Sequence, residues 1–211
     1  MRLLLGGSFD PVHLGHMRLA LECQAQFADS TLAFIPNYRS PLKAQAHCRP
    51  EQRLAMLRLA VAELNQVTGG EAFYVEPHEI DRAASSYTYD TLAQMRETYP
   101  QDTLVWVMGM DSWASIAEWH RFSELPGLTS CLVAQRPGTQ ATVPVPVAEF
   151  AAQLPPLNHR EPATGALGFV ATTPMWVSSS LVRTTLAEKR NAAFLVCEPV
   201  RAYIHQHHLY S

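Results

Sequence analysis

Gly6-Gly7-Ser8-Phe9-Asp10-Pro11-Val12-His13-Leu14-Gly15-His16 follows a short apolar run, 2–5, and leads into a helical pattern over 14–28. A strand that turns into a helix through glycines exposes backbone N–H groups, and the helix N-terminus adds partial positive charge, which favours phosphate. Glycines at 6 and 7 predict a backbone conformation closed to other residues, with room for a bulky anion to approach. His13 and His16 stand three apart, so both imidazoles share one face of the first helical turn. Gly15 between them keeps that face low enough for a base or a ribose to lie against it. Spacing alone leaves two other readings open: a tight turn with two incidental histidines, and a metal pair with Asp10 as its nearest acid. The stretch is neither Gly-x-Gly-x-x-Gly nor a Walker A loop, because no Lys-Ser or Lys-Thr follows the glycines.

Outward from it, short apolar runs alternate with longer helical patterns. The runs lie at 2–5, 32–35, 73–75, 104–108, 131–134 and 167–171. Helices are expected at 14–28, 50–66, 88–98, 111–118, 179–188 and 199–207. In the second of these, Leu54, Leu57, Val61 and Leu64 recur at helical spacing behind Pro50, a residue suited to a first turn. Such alternation predicts an α/β fold, doubly wound, with a mainly parallel sheet, helices on both faces and a small C-terminal helical part. One domain over 1–211 is expected, with 177–211 as its helical part. The Pro-rich stretch from Pro137 to Pro162 reads as a surface excursion, since another strand and helix follow it.

Composition narrows the function classes. With 16 Lys and Arg against 19 Asp and Glu, the net charge of −3 excludes a whole-chain basic surface for nucleic acid, so any polyanion must meet a local site. No apolar run is long enough to cross a bilayer, and Met1-Arg2 leads into Leu3-Leu4-Leu5 without a signal-peptide pattern, so a cytoplasmic protein is expected. Cys23, Cys48, Cys131 and Cys197 lack Cys-x-x-Cys spacing and read as reduced packing thiols. His205, His207 and His208 suggest a metal cluster at first sight but lack acidic partners, and no protein-held metal is expected.

The opening stretch closely resembles the signature of bacterial nicotinate-mononucleotide adenylyltransferases, in the nucleotidyltransferase α/β phosphodiesterase superfamily, whose usual form is Gly-Gly-Thr-Phe-Asp-Pro-x-His-x-Gly-His. Ser8 replaces Thr and keeps the hydroxyl. Near the other end, Val177-Ser178-Ser179-Ser180-Leu181-Val182-Arg183 resembles that family's Ile-Ser-Ser-Thr-x-x-Arg. As bare residues, the three hydroxyls cap a helix. Ser86-Tyr87-Thr88-Tyr89-Asp90-Thr91-Leu92 resembles Ser-Tyr-Thr-x-x-Thr-Leu, Gly109-Met110-Asp111 with Trp119 resembles Gly-x-Asp…Trp, and Gln135-Arg136-Pro137-Gly138 resembles an Arg-Arg-Pro-Gly turn. One position departs: after Ile35-Pro36-Asn37 the family shows Pro-Pro-His-Lys, and this chain reads Ser40-Pro41-Leu42-Lys43.

The resemblance implies a Rossmann-like fold and adenylyl transfer from ATP to nicotinate mononucleotide, giving deamido-NAD and pyrophosphate. It implies that His13 and His16 contact the α- and β-phosphates and that Arg183 grips the leaving group. Gly7, Ser8 and Phe9 would cradle phosphate; Gly15, Gly109, Ser178, Ser179 and Ser180 would complete the ATP site, with Asp111 on ribose hydroxyls. Asn37, Lys43, Ser86, Thr88, Trp119 and Arg136 would face the acceptor, Trp119 stacking on its ring. Where the usual histidine is Leu42, Arg39 or Lys43 would compensate. Mg2+ would arrive on the ATP phosphates. The rival readings are a sibling acceptor, nicotinamide mononucleotide or phosphopantetheine, and a nucleotide-binding regulator without turnover. Neither nucleic acid nor membrane is an expected partner, and a homo-oligomer remains open.

Overall fold

The computed structural model describes residues 1–27, 29–42, 45–135, 142–158 and 163–210. Six parallel strands form one sheet: β1 (Arg2–Gly7), β2 (Thr31–Pro36), β3 (Phe73–Val75), β4 (Leu104–Gly109), β5 (Ser130–Gln135) and β6 (Leu167–Ala171), in the order β3-β2-β1-β4-β5-β6. The chain therefore winds outward from β1 to one edge, returns, and winds to the other. Between β1 and β4 the direction of winding reverses, and open α/β sheets place their ligand crevice at such a point, beyond the carboxyl ends of the strands. In register, Leu5 stands beside Phe34 and Val107.

Alternation along the strands divides the core in two. Leu3 and Leu5 of β1 point to one face, where Phe34, Val107 and Leu132 join them; Leu4 points to the other, with Ile35, Trp106 and Val133. On the first face lie α1 (Leu14–Ala25) and α2 (Pro50–Thr68), packed through Met17, Ala20, Met56, Leu57 and Leu64, together with α7 (Ser179–Ala187) and α8 (Glu198–Gln206), whose Val182, Val200 and Ile204 close the layer. On the second lie α4 (Thr88–Thr98), through Leu92 and Met95, and α5 (Met110–Ala114), through Trp113. The C-terminal helices thus complete one layer of the sandwich rather than forming a separate appendage.

Local chemistry sets the boundaries. Pro50 opens α2 at its first turn and Gly69 ends it with a left-handed φ of 69°, its N–H returning to the Asn65 carbonyl. Two helices were not anticipated from the pattern: α3 (His78–Arg82), too short to show a period, and α6 (Val145–Ala151), inside the Pro-rich stretch. Most of the described residues of this stretch, 142–158, are exposed, as a surface excursion expects, but α6 anchors it: Val147 and Leu157 are buried and Phe150 packs against the second core, while 137–141 and 159–162 lie outside the described residues. Here the prolines act as helix starters.

Gly6 and Gly7 also depart from expectation. Neither is among the glycines with positive φ. A Cβ on Gly6 would lie 2.4 Å from the Trp106 ring, and one on Gly7 3.0 Å from the Phe9 ring. The glycines make room for aromatic side chains of the protein itself, and the left-handed residue of the turn is Phe9, at φ 46°.

Candidate active site

A cleft of about 440 Å³ opens over the carboxyl ends of β1, β4, β5 and β6. From the first two turns of α1 and its N-cap come His13, Gly15, His16 and Leu19; from the end of β4 come Gly109, Met110 and Asp111; the far wall is Ala134, Thr172, Thr173, Met175, Val177 and Ser178. Six residues expected at a nucleotide site, His13, Gly15, His16, Gly109, Asp111 and Ser178, therefore line one cleft, although 165 residues separate His13 from Ser178 in sequence.

The two imidazoles stack, with ring centroids 3.6 Å apart and planes 25° from parallel. His13 is buried as the N-cap of α1. His16 Nδ1 accepts the His13 backbone N–H at 3.3 Å. With Nδ1 accepting there, Nε2 is the ring nitrogen left to present an N–H to a ligand. Beneath it the Phe9 ring meets the His16 ring edge to face at 5.0 Å and sets its height. Gly15 is required from the other side, because a Cβ there would come within 2.9 Å of Val177 Cγ1. That contact joins the first turn of α1 directly to the segment that opens α7. Gly109 has a similar reason: its missing Cβ leaves space for Asp111 Oδ1, 2.6 Å from where the Cβ would lie.

The second hydroxyl cluster is arranged differently. Ser178 caps α7, its Oγ accepting the Leu181 N–H at 3.1 Å. Ser179 Oγ donates to the Pro11 carbonyl at 2.9 Å. Arg183 Nη1 donates to the Asp10 carbonyl at 2.7 Å and Nη2 to Ser180 Oγ at 3.1 Å. Ser179 and Arg183 thus hold the 10–11 loop, with Ser180 bonded to Arg183, and none of the three is among the residues lining the cleft. Gly7, Ser8 and Phe9 are not among the lining residues either, and Phe9 is buried in the core.

A buried cation that the sequence reading passed over supports this loop from below. Arg53, on α2, is fully buried; its Nη1 donates to the Ser8 carbonyl at 2.6 Å and its Nη2 to the carbonyls of Asn37, at 2.7 Å, and Tyr38, at 3.0 Å. Burial pulls its pKa below the ordinary value, against the favourable charge of Asp10. Its position was legible: Arg53, Leu57, Ala60 and Leu64 recur along the buried stripe of the helix. Thr172 and Thr173 were legible as well, since they directly follow the last strand, where ligands of such sheets gather.

Of the residues expected to face the acceptor, Asn37 and Ser86 lie by the end of β2, across β1 from the cleft. Asn37 Nδ2 donates to Ser8 Oγ at 3.2 Å, and the Tyr38 N–H donates to Ser86 Oγ at 3.0 Å. The Ser86 and Thr91 hydroxyls bond the carboxyl of Glu79, which burial pushes above its ordinary pKa. Ser86 is accordingly committed to internal contacts, while Thr88 begins α4 beside it. Trp119 is half-buried against the second core and does not line the cleft. Leu42 is exposed. Lys43 and Arg136 lie outside the described residues.

Among the described residues no cluster of three or more His, Cys, Asp or Glu could hold a metal ion, and no helix is long and apolar enough to cross a membrane. The four cysteines are buried and free, as the packing-thiol reading expects.

Compared with known proteins, residues 4–185 match the family described as cytidylyltransferase-like. A protein of Aeromonas salmonicida named a probable nicotinate-nucleotide adenylyltransferase is 37% identical over 214 residues, covering 98% of this chain and 95% of that one. A Pseudomonas putida protein of the same name is 38% identical over 211 residues, covering 98% and 93%. Among solved structures, Plasmodium falciparum nicotinic acid mononucleotide adenylyltransferase complexed with NaAD shares the fold, with a TM-score of 0.75 at 15% identity, covering 99% and 96% of the two chains.

Proposed function

Because the chain belongs to the cytidylyltransferase-like family, and within it to the nicotinate-nucleotide adenylyltransferases, we propose that it transfers the adenylyl group of ATP to nicotinate mononucleotide, releasing pyrophosphate and deamido-NAD. The observation that carries this reading is the stacked His13–His16 pair, set at the switch point of the sheet in the same cleft as Asp111 and Ser178.

The nucleophile, a 5′-phosphate oxygen, is already an anion. It attacks the α-phosphorus in line, the bond to the β-bridging oxygen breaks, and pyrophosphate leaves with the electron pair. No covalent enzyme intermediate is needed, so the protein's task is to hold two anions together and disperse charge. His16 Nε2–H donates to an α-phosphate oxygen as charge develops there, and His13 supports it from the stack. Asp111 accepts from ribose hydroxyls. Arg183 turns toward the leaving pyrophosphate by exchanging its bonds to the Asp10 carbonyl and Ser180 Oγ for two bonds to phosphate, a bidentate contact suited to guanidinium.

The donor set fits a divalent ion held by the substrate. Asp10, the acid of the first motif, has both carboxyl oxygens engaged by His47, Cys48 and Tyr210, and no metal-binding cluster occurs among the described residues. Mg2+ entering on the triphosphate would neutralise its oxygens. On this reading the protein is cytoplasmic, acts with neither nucleic acid nor membrane as partner, and is one nucleotidyltransferase domain over 1–211.

An acceptor panel tests the proposal: ATP with nicotinate mononucleotide, nicotinamide mononucleotide or phosphopantetheine, read as pyrophosphate release. Turnover is expected to be fastest with nicotinate mononucleotide. Preference for either other acceptor would reassign the substrate, and ATP binding without release for any of them would make the protein a nucleotide-binding regulator.

A further inference from the structure

Asp10 has no part in the chemistry above, yet it is among the most densely bonded residues of the molecule. It is 4% exposed. Its Oδ2 accepts the His47 N–H at 2.7 Å and lies 3.3 Å from His47 Nδ1. Its Oδ1 accepts the Cys48 N–H at 3.2 Å and the Tyr210 hydroxyl at 2.8 Å. The residue three before His13 is thereby joined to the last turn of the chain.

The tail takes an unfavourable path to get there. After α8 the Leu209 N–H returns to the Ile204 carbonyl at 3.0 Å, and both His208 and Tyr210 adopt left-handed backbones, at φ 50° and 62°. Non-glycine residues keep such conformations where their surroundings over-determine them. Here the surroundings are the packing of Leu209 and Tyr210 against the first core and the hydroxyl bond to Asp10. Burial pushes the Tyr210 phenol well up, with Cys48 and Asp10 adding to the shift, so it keeps its proton and remains a donor at neutral pH.

We propose that Tyr210 is a positioning residue for adenylyl transfer, its hydroxyl holding Asp10 so that the 10–12 loop sets His13 and His16 over the cleft. The proposal rests on the functional reading above. Two backbone N–H groups, of His47 and Cys48, hold the carboxylate from the α2 side, and Tyr210 holds it from the C-terminal side. Arg183 and Ser179 hold the carbonyls of Asp10 and Pro11, so without the hydroxyl the backbone of the loop stays tethered while the carboxylate is held from the α2 side alone. Because misplacing a reacting group by about 1 Å costs on the order of 100-fold, a fraction of that displacement suffices for a clear loss.

Tyr210→Phe keeps the ring and removes the bond. We expect kcat to fall about 10-fold, with the KM for nicotinate mononucleotide within about twofold of wild type and the folded protein retained. In an Asp10→Ala background, which removes the acceptor, the same change is expected to add less than about twofold, because the two residues act through one bond. A kcat per folded molecule equal to wild type, or losses that multiply independently, would overturn the proposal. A readout that does not depend on turnover is the imidazole ¹⁵N spectrum of the resting protein: Tyr210→Phe is expected to shift the His16 resonances, and an unchanged spectrum would also overturn it. If wild-type protein shows no transfer to nicotinate mononucleotide, the functional reading fails, and the spectrum still decides whether Tyr210 positions the loop.

Discussion

Residues 6–16 and residues 177–183 meet at one cleft and use their polar groups in different ways. The first segment turns His13 and His16 into the cavity, while Ser179 and Arg183 of the second turn toward the carbonyls of Pro11 and Asp10 in the first. In the resting protein the first segment presents its imidazoles to the cleft, and the second, apart from Ser178 at the cleft wall, holds the first in place. Two runs of residues equally rich in functional groups can therefore contribute to catalysis by separate routes, and substitution distinguishes them: loss of a presenter removes rate at constant stability, whereas loss of a holder reduces both.

The largest effect is expected for His16→Ala. Its rate of pyrophosphate release should fall at least about 100-fold, about 2.7 kcal/mol of transition-state stabilisation, with little change in the unfolding midpoint. A near-wild-type rate would remove His16 from the presenting group. Arg53→Met is next and is the strongest test of holding from below. Loss of bonds to the carbonyls of Ser8, Asn37 and Tyr38 should destabilise the fold by about 2 kcal/mol, read by urea unfolding. Equal stability would mean that the buried guanidinium's desolvation cancels its bonds. Ser179→Ala should cost about 1 kcal/mol of stability and slow turnover less than about 10-fold, a smaller and mixed effect that marks a holder. A loss as large as that of His16→Ala at unchanged stability would place Ser179 among the presenters.

The smallest effect concerns the acceptor side. Burial raises the pKa of Glu79 above its ordinary 4.5, so the folded state favours the protonated acid. Its stabilising contribution is present below the unfolded value and is lost as pH rises through the folded one. Glu79→Gln, which carries no such proton, should gain stability relative to wild type as pH rises from 4.5 toward neutrality, by less than about 1 kcal/mol. A constant difference across that range would show that Glu79 titrates alike folded and unfolded.

Much of the fold was legible because strand and helix periods are written in residue pattern. All six strands were located, as were α1, α2, α4, α7 and α8, and the helix expected at 111–118 resolves into α5 followed by a 3-10 turn at Ile116–Glu118. What escaped was set by contact rather than by pattern. Gly6 reads as a ligand-binding glycine until Trp106, a hundred residues away, fills the space above it. The direction of Arg183 is equally silent, since the same spacing that suits a phosphate also suits the Asp10 carbonyl. The reach from Tyr210 to Asp10 depends on two left-handed residues with no glycine to announce them.

The central claim is that the stacked imidazoles meet the triphosphate. It is tested most directly by titrating a non-hydrolysable ATP analogue into protein labelled with ¹⁵N at histidine. The account predicts that the Nε2 resonance of His16 moves with saturation as it donates to phosphate, and that of His47, engaged with Asp10 outside the cleft lining, stays in place. A His16 resonance unmoved at full occupancy would contradict it.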